Sequence, residues 1–116
     1  YGGKSLIKQS HGESFLSLFQ NRFRDGIFVL DEPESALSIE KQLSLITIIN
    51  DLVKTGKCQF IIATHSPLLI TIPNADIFEI KNGIIEKRSY GETSNFMLYK
   101  EFINNPENFL KLLDVK

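Results

Sequence analysis

Two short apolar runs, separated by one long helical pattern, constrain the fold of this chain more than any other feature. Ile27–Leu30 lies in "GIFVLDEP" and Phe60–Ala63 in "CQFIIATHSP", and a turn containing proline follows each run. Such continuous runs are typical of parallel strands that are buried on both faces. Between them, Ser38 to Thr55 has the helical period, with Ser38 as N-cap and Gly56 as the C-terminal stop. Strand, helix and strand in this order predict a right-handed βαβ crossover.

The helical pattern between the two runs is apolar around much of its circumference. This width predicts a helix that is buried on more than one side. The main apolar stripe consists of Ile39, Leu43, Ile46, Ile49 and Val53, and a second set widens it: Leu45, Ile48 and Leu52.

The segments on either side of this core also have recognisable patterns. "SFLSLFQNRF" places Phe15, Phe19 and Phe23 on one face of an amphipathic helix, and "DIFEIKNGIIEKRSY" predicts a hairpin that turns at Asn82-Gly83. Two helices should follow. One runs from Thr93 to Ile103, and the next begins at N-cap Asn105 with Pro106 in its first turn and with Phe109, Leu110, Leu112 and Leu113 as its apolar face. The predicted fold class is α/β, with a narrow parallel βαβ core followed by a β-hairpin and C-terminal helices.

Composition narrows the classes of function. With 116 residues, 42% hydrophobic and 23% charged, and a formal charge of −1, the chain fits one soluble globular domain or part of one. The near-neutral charge gives no footprint for nucleic acid or an anionic membrane. The single Cys58 excludes an internal disulfide and is interpreted as a small structural residue, which fits a cytoplasmic location. No apolar stretch reaches the roughly 20 residues of a membrane span.

Polar residues that can carry chemistry follow both predicted strands. Asp31 and Glu32 end the first strand, and His65 lies at the matching position after the second. Ligands bind at this edge of open α/β sheets. Neighbours in an extended chain point to opposite faces, so the two carboxylates can do different jobs, one holding a hydrated Mg²⁺ and the other orienting or deprotonating a water. The alternatives are a solvated charged turn for the acids and a surface histidine or helix cap for His65.

Four motifs in order resemble those of the ABC-type ATPases, and the later segment "YGETSNFMLYKEFINNPENFLKLL" is similar to the C-terminal ending of small, stand-alone bacterial ATPases of this class. "QSHGES" is similar to the signature motif, "IFVLDEP" to Walker B with its catalytic glutamate, "SALS" to the D-loop, and "IIATHSP" to the histidine switch. The resemblance implies a partial P-loop NTPase domain that binds and hydrolyses ATP with Mg²⁺ and forms an ATP-dependent homodimer.

Roles for individual residues follow from this resemblance. Asp31 would bind Mg²⁺ through water, Glu32 would activate the attacking water, and His65 would contact the γ-phosphate. The residues implied to act across the dimer are Ser10, His11, Gly12 and Glu13 of the signature and Ser35, Ala36, Leu37 and Ser38 of the D-loop. Two positions depart from the family pattern, since His11 replaces a glycine and Ser38 replaces an aspartate.

The opening "YGGKS" raises the question of a phosphate-binding P-loop at Gly3-Lys4-Ser5. The motif G-x-x-x-x-G-K-[ST] would place its first glycine before Tyr1, and the signature follows too closely for an ABC-type order. Residues 1–116 are therefore interpreted as the C-terminal portion of one ABC-type ATPase domain without its P-loop half, and the isolated fragment is expected to be inactive.

Two other classes of function stay open. The first is a dimerisation or partner-binding module, derived from such an ATPase, that does not hydrolyse ATP. The second is a metal-dependent phosphohydrolase or nuclease built on Asp31, Glu32 and Glu34, although Pro33 and Glu34 are equally explained by the turn after Walker B.

Overall fold

The structure, a computed structural model, describes residues 25–115. The predicted helix of Phe15, Phe19 and Phe23 and the signature residues 10–13 lie outside the described residues. The chain divides between Pro73 and Asn74 into two compact units, each with its own secondary structure. No helix within the described part of the chain is long and apolar enough to cross a membrane.

The first unit contains the predicted βαβ crossover. Its described elements, in chain order, are strand β1 (Gly26–Asp31), a 3₁₀ turn (Pro33–Ala36), helix α1 (Ile39–Lys54), strand β2 (Cys58–Ala63) and a second 3₁₀ turn (Leu69–Thr71). The strands β1 and β2 pair in parallel, with Gly26 opposite Cys58 and Asp31 opposite Ala63. The predicted parallel arrangement of strand, helix and strand is thus confirmed, and the register aligns the carboxyl ends of both strands.

Helix α1 begins and ends at the predicted signals. The Ser38 hydroxyl oxygen accepts a hydrogen bond from the Lys41 N–H at 3.2 Å, which satisfies one of the otherwise unpaired donors of the first turn. At the other end Gly56 follows the C-cap Thr55 with a φ of 77°, a left-handed conformation in which glycine carries no steric cost.

The core of the first unit lies between α1 and one face of the sheet. Leu45 and Ile49 of α1 are the most deeply buried side chains. The remaining members of the cluster come from β1 and the two turns, namely Leu30, Leu37 and Leu69, with Phe60 and Ile62 of β2 packed against them. This arrangement explains the alternation of buried and exposed residues along both strands.

The expectation that both faces of the strands are buried is wrong for the described residues. Ile27 and Val29 of β1 are 66% and 71% exposed, and Ile61 of β2 is 55% exposed. The reason is that α1 packs on only one face of a two-stranded sheet. A continuous apolar run carries no period of two, and it therefore indicates a strand without indicating what covers each face.

Helix α1 is likewise buried on one side rather than on several. Leu45 and Ile49 contact the core together with the partly buried Ile48 and Leu52, whereas three residues of the predicted main stripe are exposed: Ile39, Leu43 and Val53. The second apolar set, together with Ile46 and Ile49 of the main stripe, marks the face that packs on the sheet.

The second unit begins with the predicted hairpin. Strands β3 (Ile77–Lys81) and β4 (Ile84–Arg88) are antiparallel, with Lys81 opposite Ile84. Asn82 and Gly83 form the connection, and both have positive φ angles, 53° and 77°, as a type I′ turn requires.

A 3₁₀ turn (Tyr90–Glu92) leads from the hairpin to helices α2 (Ser94–Asn104) and α3 (Pro106–Leu112). The predicted starts are confirmed, because the Thr93 hydroxyl accepts from the Phe96 N–H and the Asn105 side chain accepts from the Asn108 N–H. Of the predicted apolar face of α3, Phe109 contacts the ring of Phe102 at a centroid distance of 5.7 Å. Other members of that face are exposed: Leu110, Leu112 and Leu113.

Candidate active site

The candidate site lies where β1 and β2 end side by side. Asp31 is paired with Ala63, so the residues that follow each strand begin at the same edge of the sheet. This brings the turn after β1, which starts at Glu32, next to the turn after β2, which starts at Thr64. The carboxyl edge of a parallel sheet is the usual ligand-binding position in α/β folds.

Glu32 leaves the strand in an unusual backbone conformation. Its φ and ψ angles of 47° and 55° are left-handed, and its N–H donates to the Ala63 carbonyl oxygen at 2.7 Å. Glu32 is thus not part of an extended chain, and the expected alternation with Asp31 does not apply. A left-handed conformation costs a non-glycine residue about 1–2 kcal/mol. Strain of this kind persists where surrounding contacts hold the residue in place, as they do at functional sites.

The two residues predicted to be catalytic are in contact. Nε2 of His65 lies 3.1 Å from Oε1 of Glu32, and the two side chains are 78% and 51% exposed, respectively. A pair this exposed adds little to the stability of the fold, typically less than about 1 kcal/mol. Both groups are therefore open to solvent and to a ligand at this edge.

Glu34 joins the two turns. Its Oε1 accepts a hydrogen bond from the Thr64 hydroxyl at 2.6 Å, and its Oε2 accepts one from the His65 backbone N–H at 2.8 Å. We refer to Glu34, Thr64 and the His65 N–H as the Glu34 clasp. Burial acts to raise the pKa of this half-buried carboxyl, but the hydrogen bonds from Thr64, from the His65 N–H and from its own N–H outweigh burial and hold the pKa below its usual value.

The turn after β2 is also tied to α1. Ser66 is buried, and its hydroxyl donates to Oε1 of Gln42 at 2.6 Å while it accepts from the N–H groups of Leu68 and Leu69. The Ser66 N–H in turn donates to the Thr64 hydroxyl oxygen at 3.0 Å. The peptide that carries His65 is consequently held from both sides.

Thr64 and Ser66 were not identified as members of the candidate site from sequence, and Glu34 was considered only for the alternative metal-dependent phosphohydrolase or nuclease. A signal existed for the two hydroxyl residues, because serine and threonine in a turn before proline commonly bond to nearby backbone. Glu34 gave no such signal, since the direction of its side chain depends on the 3₁₀ turn that places it.

The predicted D-loop residues occupy the segment between Glu32 and α1. Ser35 is exposed in the 3₁₀ turn, and Ala36 ends this turn in a half-buried position. Leu37 belongs to the buried core, and Ser38 caps α1. Leu37 and Ser38 therefore have structural roles within this unit.

Asp31 is the candidate for holding a metal ion. Its carboxylate is exposed at the end of β1, and carboxylate oxygen is the donor that Mg²⁺ prefers. Residues 25–115 contain no cluster of three or more acidic, histidine or cysteine side chains that could hold a metal ion. A single carboxylate nevertheless fits Mg²⁺, which usually keeps several waters and takes further ligands from substrate phosphates.

Comparison with known families is consistent with this geometry. Residues 14–70 match the model of a family described as AAA ATPase domain. The match spans β1, α1 and β2 and includes Asp31, Glu32, Glu34 and His65. No curated protein and no solved structure matches the chain. This stretch is similar to an AAA-type ATPase fragment, which indicates a function of the ATP-binding or ATP-hydrolysing type.

Proposed function

We propose that the chain is part of an ABC-type ATPase and that residues 1–116 form the C-terminal portion of its nucleotide-hydrolysing domain. ATP is the substrate, and Glu32 and His65 are the catalytic residues. The observation that carries this proposal is the 3.1 Å contact between Glu32 and His65 at the carboxyl edge of a parallel strand pair. The family match over residues 14–70 supports the class of reaction.

In this proposal Glu32 is the group that activates the attacking water. Its Oε1 faces His65, which leaves Oε2 to take a proton from water. Hydrolysis of a phosphoanhydride depends mainly on positioning and charge stabilisation, so a carboxylate that is held in place is well suited to the step. The His65 imidazole would contact the γ-phosphate. A general base such as Glu32 contributes about 10²- to 10⁴-fold to the rate.

Asp31 would hold Mg²⁺ through a bound water. When present, the ion neutralises the charge on the phosphate oxygens. The exposed position of Asp31 at the end of β1, one residue before Glu32, supports this assignment.

The proposed enzyme acts as an ATP-dependent homodimer. Ser10, His11, Gly12 and Glu13 of one protomer would contact the nucleotide bound by the other, and residues 35–38 would couple the two sites. The exposure of Ser35, in a turn that starts directly after Glu32, supports a position from which such coupling is possible.

The test is the substitution Glu32→Gln in the full-length protein, which keeps the size of the side chain and removes the base. We expect ATP turnover to fall by about 10²- to 10⁴-fold, and we expect light scattering with ATP and Mg²⁺ to detect a stable dimer. Glu40→Gln is the matched control, because it removes the same charge from an exposed position on α1. Parent-rate hydrolysis by Glu32→Gln would exclude Glu32 as the base, and a parent protein without ATP turnover would overturn the proposal.

A second candidate is a dimerisation module that does not hydrolyse ATP. The exposed apolar side chains of Ile27, Val29 and Ile61, on one face of the strand pair, favour it. This alternative predicts a dimer that forms without ATP and is lost when Val29 is changed to Asp. A parent protein that is monomeric in the absence of ATP would exclude this alternative.

A further inference from the structure

We propose that Glu34 is a positioning residue of the hydrolysis site, which holds His65 against Glu32 through the Glu34 clasp. This role rests on the proposed ATPase function. Glu34 acts on the backbone of the site, because its hydrogen-bond partners are the Thr64 hydroxyl and the His65 backbone N–H.

The clasp fixes the backbone that carries the His65 ring. The two carboxylate oxygens of Glu34 bind two successive residues, Thr64 at 2.6 Å and His65 at 2.8 Å. Two contacts to neighbouring residues restrain both the position and the direction of the peptide between them. The Ser66 N–H, which donates to the same threonine hydroxyl, extends this restraint by one residue.

Glu32 is anchored independently of the clasp. Its N–H is bonded to Ala63 at the end of β2, and its left-handed backbone sets the direction of its side chain. Glu34 is two residues further along the same turn. The Glu34 clasp is therefore a second link between the two turns. The hydrogen bond to Ala63 holds Glu32, whereas the clasp holds His65.

The chemistry of the clasp explains why an acid suits this position. Both partners of Glu34 can donate, and a carboxylate accepts on both oxygens. An amide offers one acceptor oxygen and one donor group. Glutamine could still satisfy both partners, because the Thr64 hydroxyl can accept from the amide while the His65 N–H donates to its oxygen.

Glu34→Gln can keep both hydrogen bonds while it removes the charge, whereas Glu34→Ala removes both, so the two variants make the test specific. In Glu34→Ala, both contacts are lost, and we expect kcat to fall by about ten- to a hundredfold with KM for ATP unchanged within about twofold. In Glu34→Gln, we expect kcat within about threefold of the parent value. If Glu34 acted as a base or a metal ligand, Gln would be as inactive as Ala, and that result would overturn the positioning role.

Thr64 provides an independent check from the other side of the clasp. Thr64→Val removes the hydroxyl at nearly constant shape, and we expect a several-fold loss of kcat, whereas Thr64→Ser should restore the parent rate. Equal rates for Thr64→Val and Thr64→Ser would contradict the role of the hydroxyl. Glu40→Ala, an exposed change on α1, is the control and should keep the parent rate.

The backbone amide proton of His65 gives a readout that does not depend on activity. Its NMR signal should move upfield in Glu34→Ala, because the hydrogen bond to a carboxylate is lost, and should stay near the parent position in Glu32→Gln. An unchanged signal in Glu34→Ala would overturn the clasp. If the parent protein lacks ATP turnover, the proposed function fails and the positioning role fails with it; turnover with an unaffected Glu34→Ala variant would overturn the positioning role alone.

Discussion

Glu32 combines a left-handed backbone with a carboxylate that is half-exposed at the sheet edge. Its meeting with His65 could be predicted from sequence, because the ends of parallel strands lie at one edge. The backbone strain and the clasp could not be predicted. Both depend on the tight turn at Pro33–Ala36, which lies between the end of β1 and the buried Leu37.

The strain at Glu32 can be measured by comparing two variants that both lack the carboxylate. We expect Glu32→Gly to be more stable than Glu32→Ala by about 0.5–1 kcal/mol, because glycine adopts a left-handed conformation freely whereas alanine keeps the steric cost. Urea unfolding of both variants measures the difference. Equal stabilities, or a more stable alanine variant, would show that position 32 is not strained.

At the scale of elements, local signals predicted the existence of the helices and strands well. Ser38 caps its helix and the Asn82-Gly83 pair forms its turn as expected. Each signal depends only on the residue and on the backbone within a few positions of it. Burial was predicted less well. Which side of α1 faces the sheet depends on the width and position of β1 and β2, and neither quantity is contained in the helical period.

Two leucines of α1 test which side of the helix is buried. Leu45→Ala should lower the free energy of unfolding by about 2–4 kcal/mol, since it leaves a cavity beside Ile49 in the core. Leu43→Ala, on the exposed side of the same helix, should cost less than about 1 kcal/mol. Chemical denaturation measures both. Similar losses at the two positions would mean that Leu43 is also covered.

At the scale of the whole molecule, both units contain carboxylates that accept hydrogen bonds from backbone N–H or hydroxyl groups. Glu79 accepts from the Ser94 N–H at the start of α2, and Glu92 accepts from the Ser89 N–H, and these bonds lower the pKa of each side chain. Glu34 lies in the first unit, and its pKa is lowered because its hydrogen bonds outweigh the effect of burial. All three groups are therefore more acidic in the folded protein than in an unfolded chain.

This linkage predicts a loss of stability in acid. A carboxyl whose folded pKa is below its unfolded value of 4.5 stabilises the fold above that value, and the contribution disappears as pH falls through the folded pKa. We expect the free energy of unfolding to fall between neutral pH and about pH 3, and less steeply in Glu79→Gln than in Glu40→Gln. Urea unfolding across this range gives the slopes, and equal slopes would exclude a role for Glu79.

The parallel register of β1 and β2 has a consequence for the order of folding. The two strands are neighbours only after the whole of α1 has closed between them, whereas the hairpin joins strands through two residues. Contacts between distant parts of a chain are slow to form, because closing the loop between them costs chain entropy before any contact offsets that cost. Glu32 and His65 meet at the end of that strand pair, so catalytic competence would be acquired late, after the local helices and the hairpin have formed.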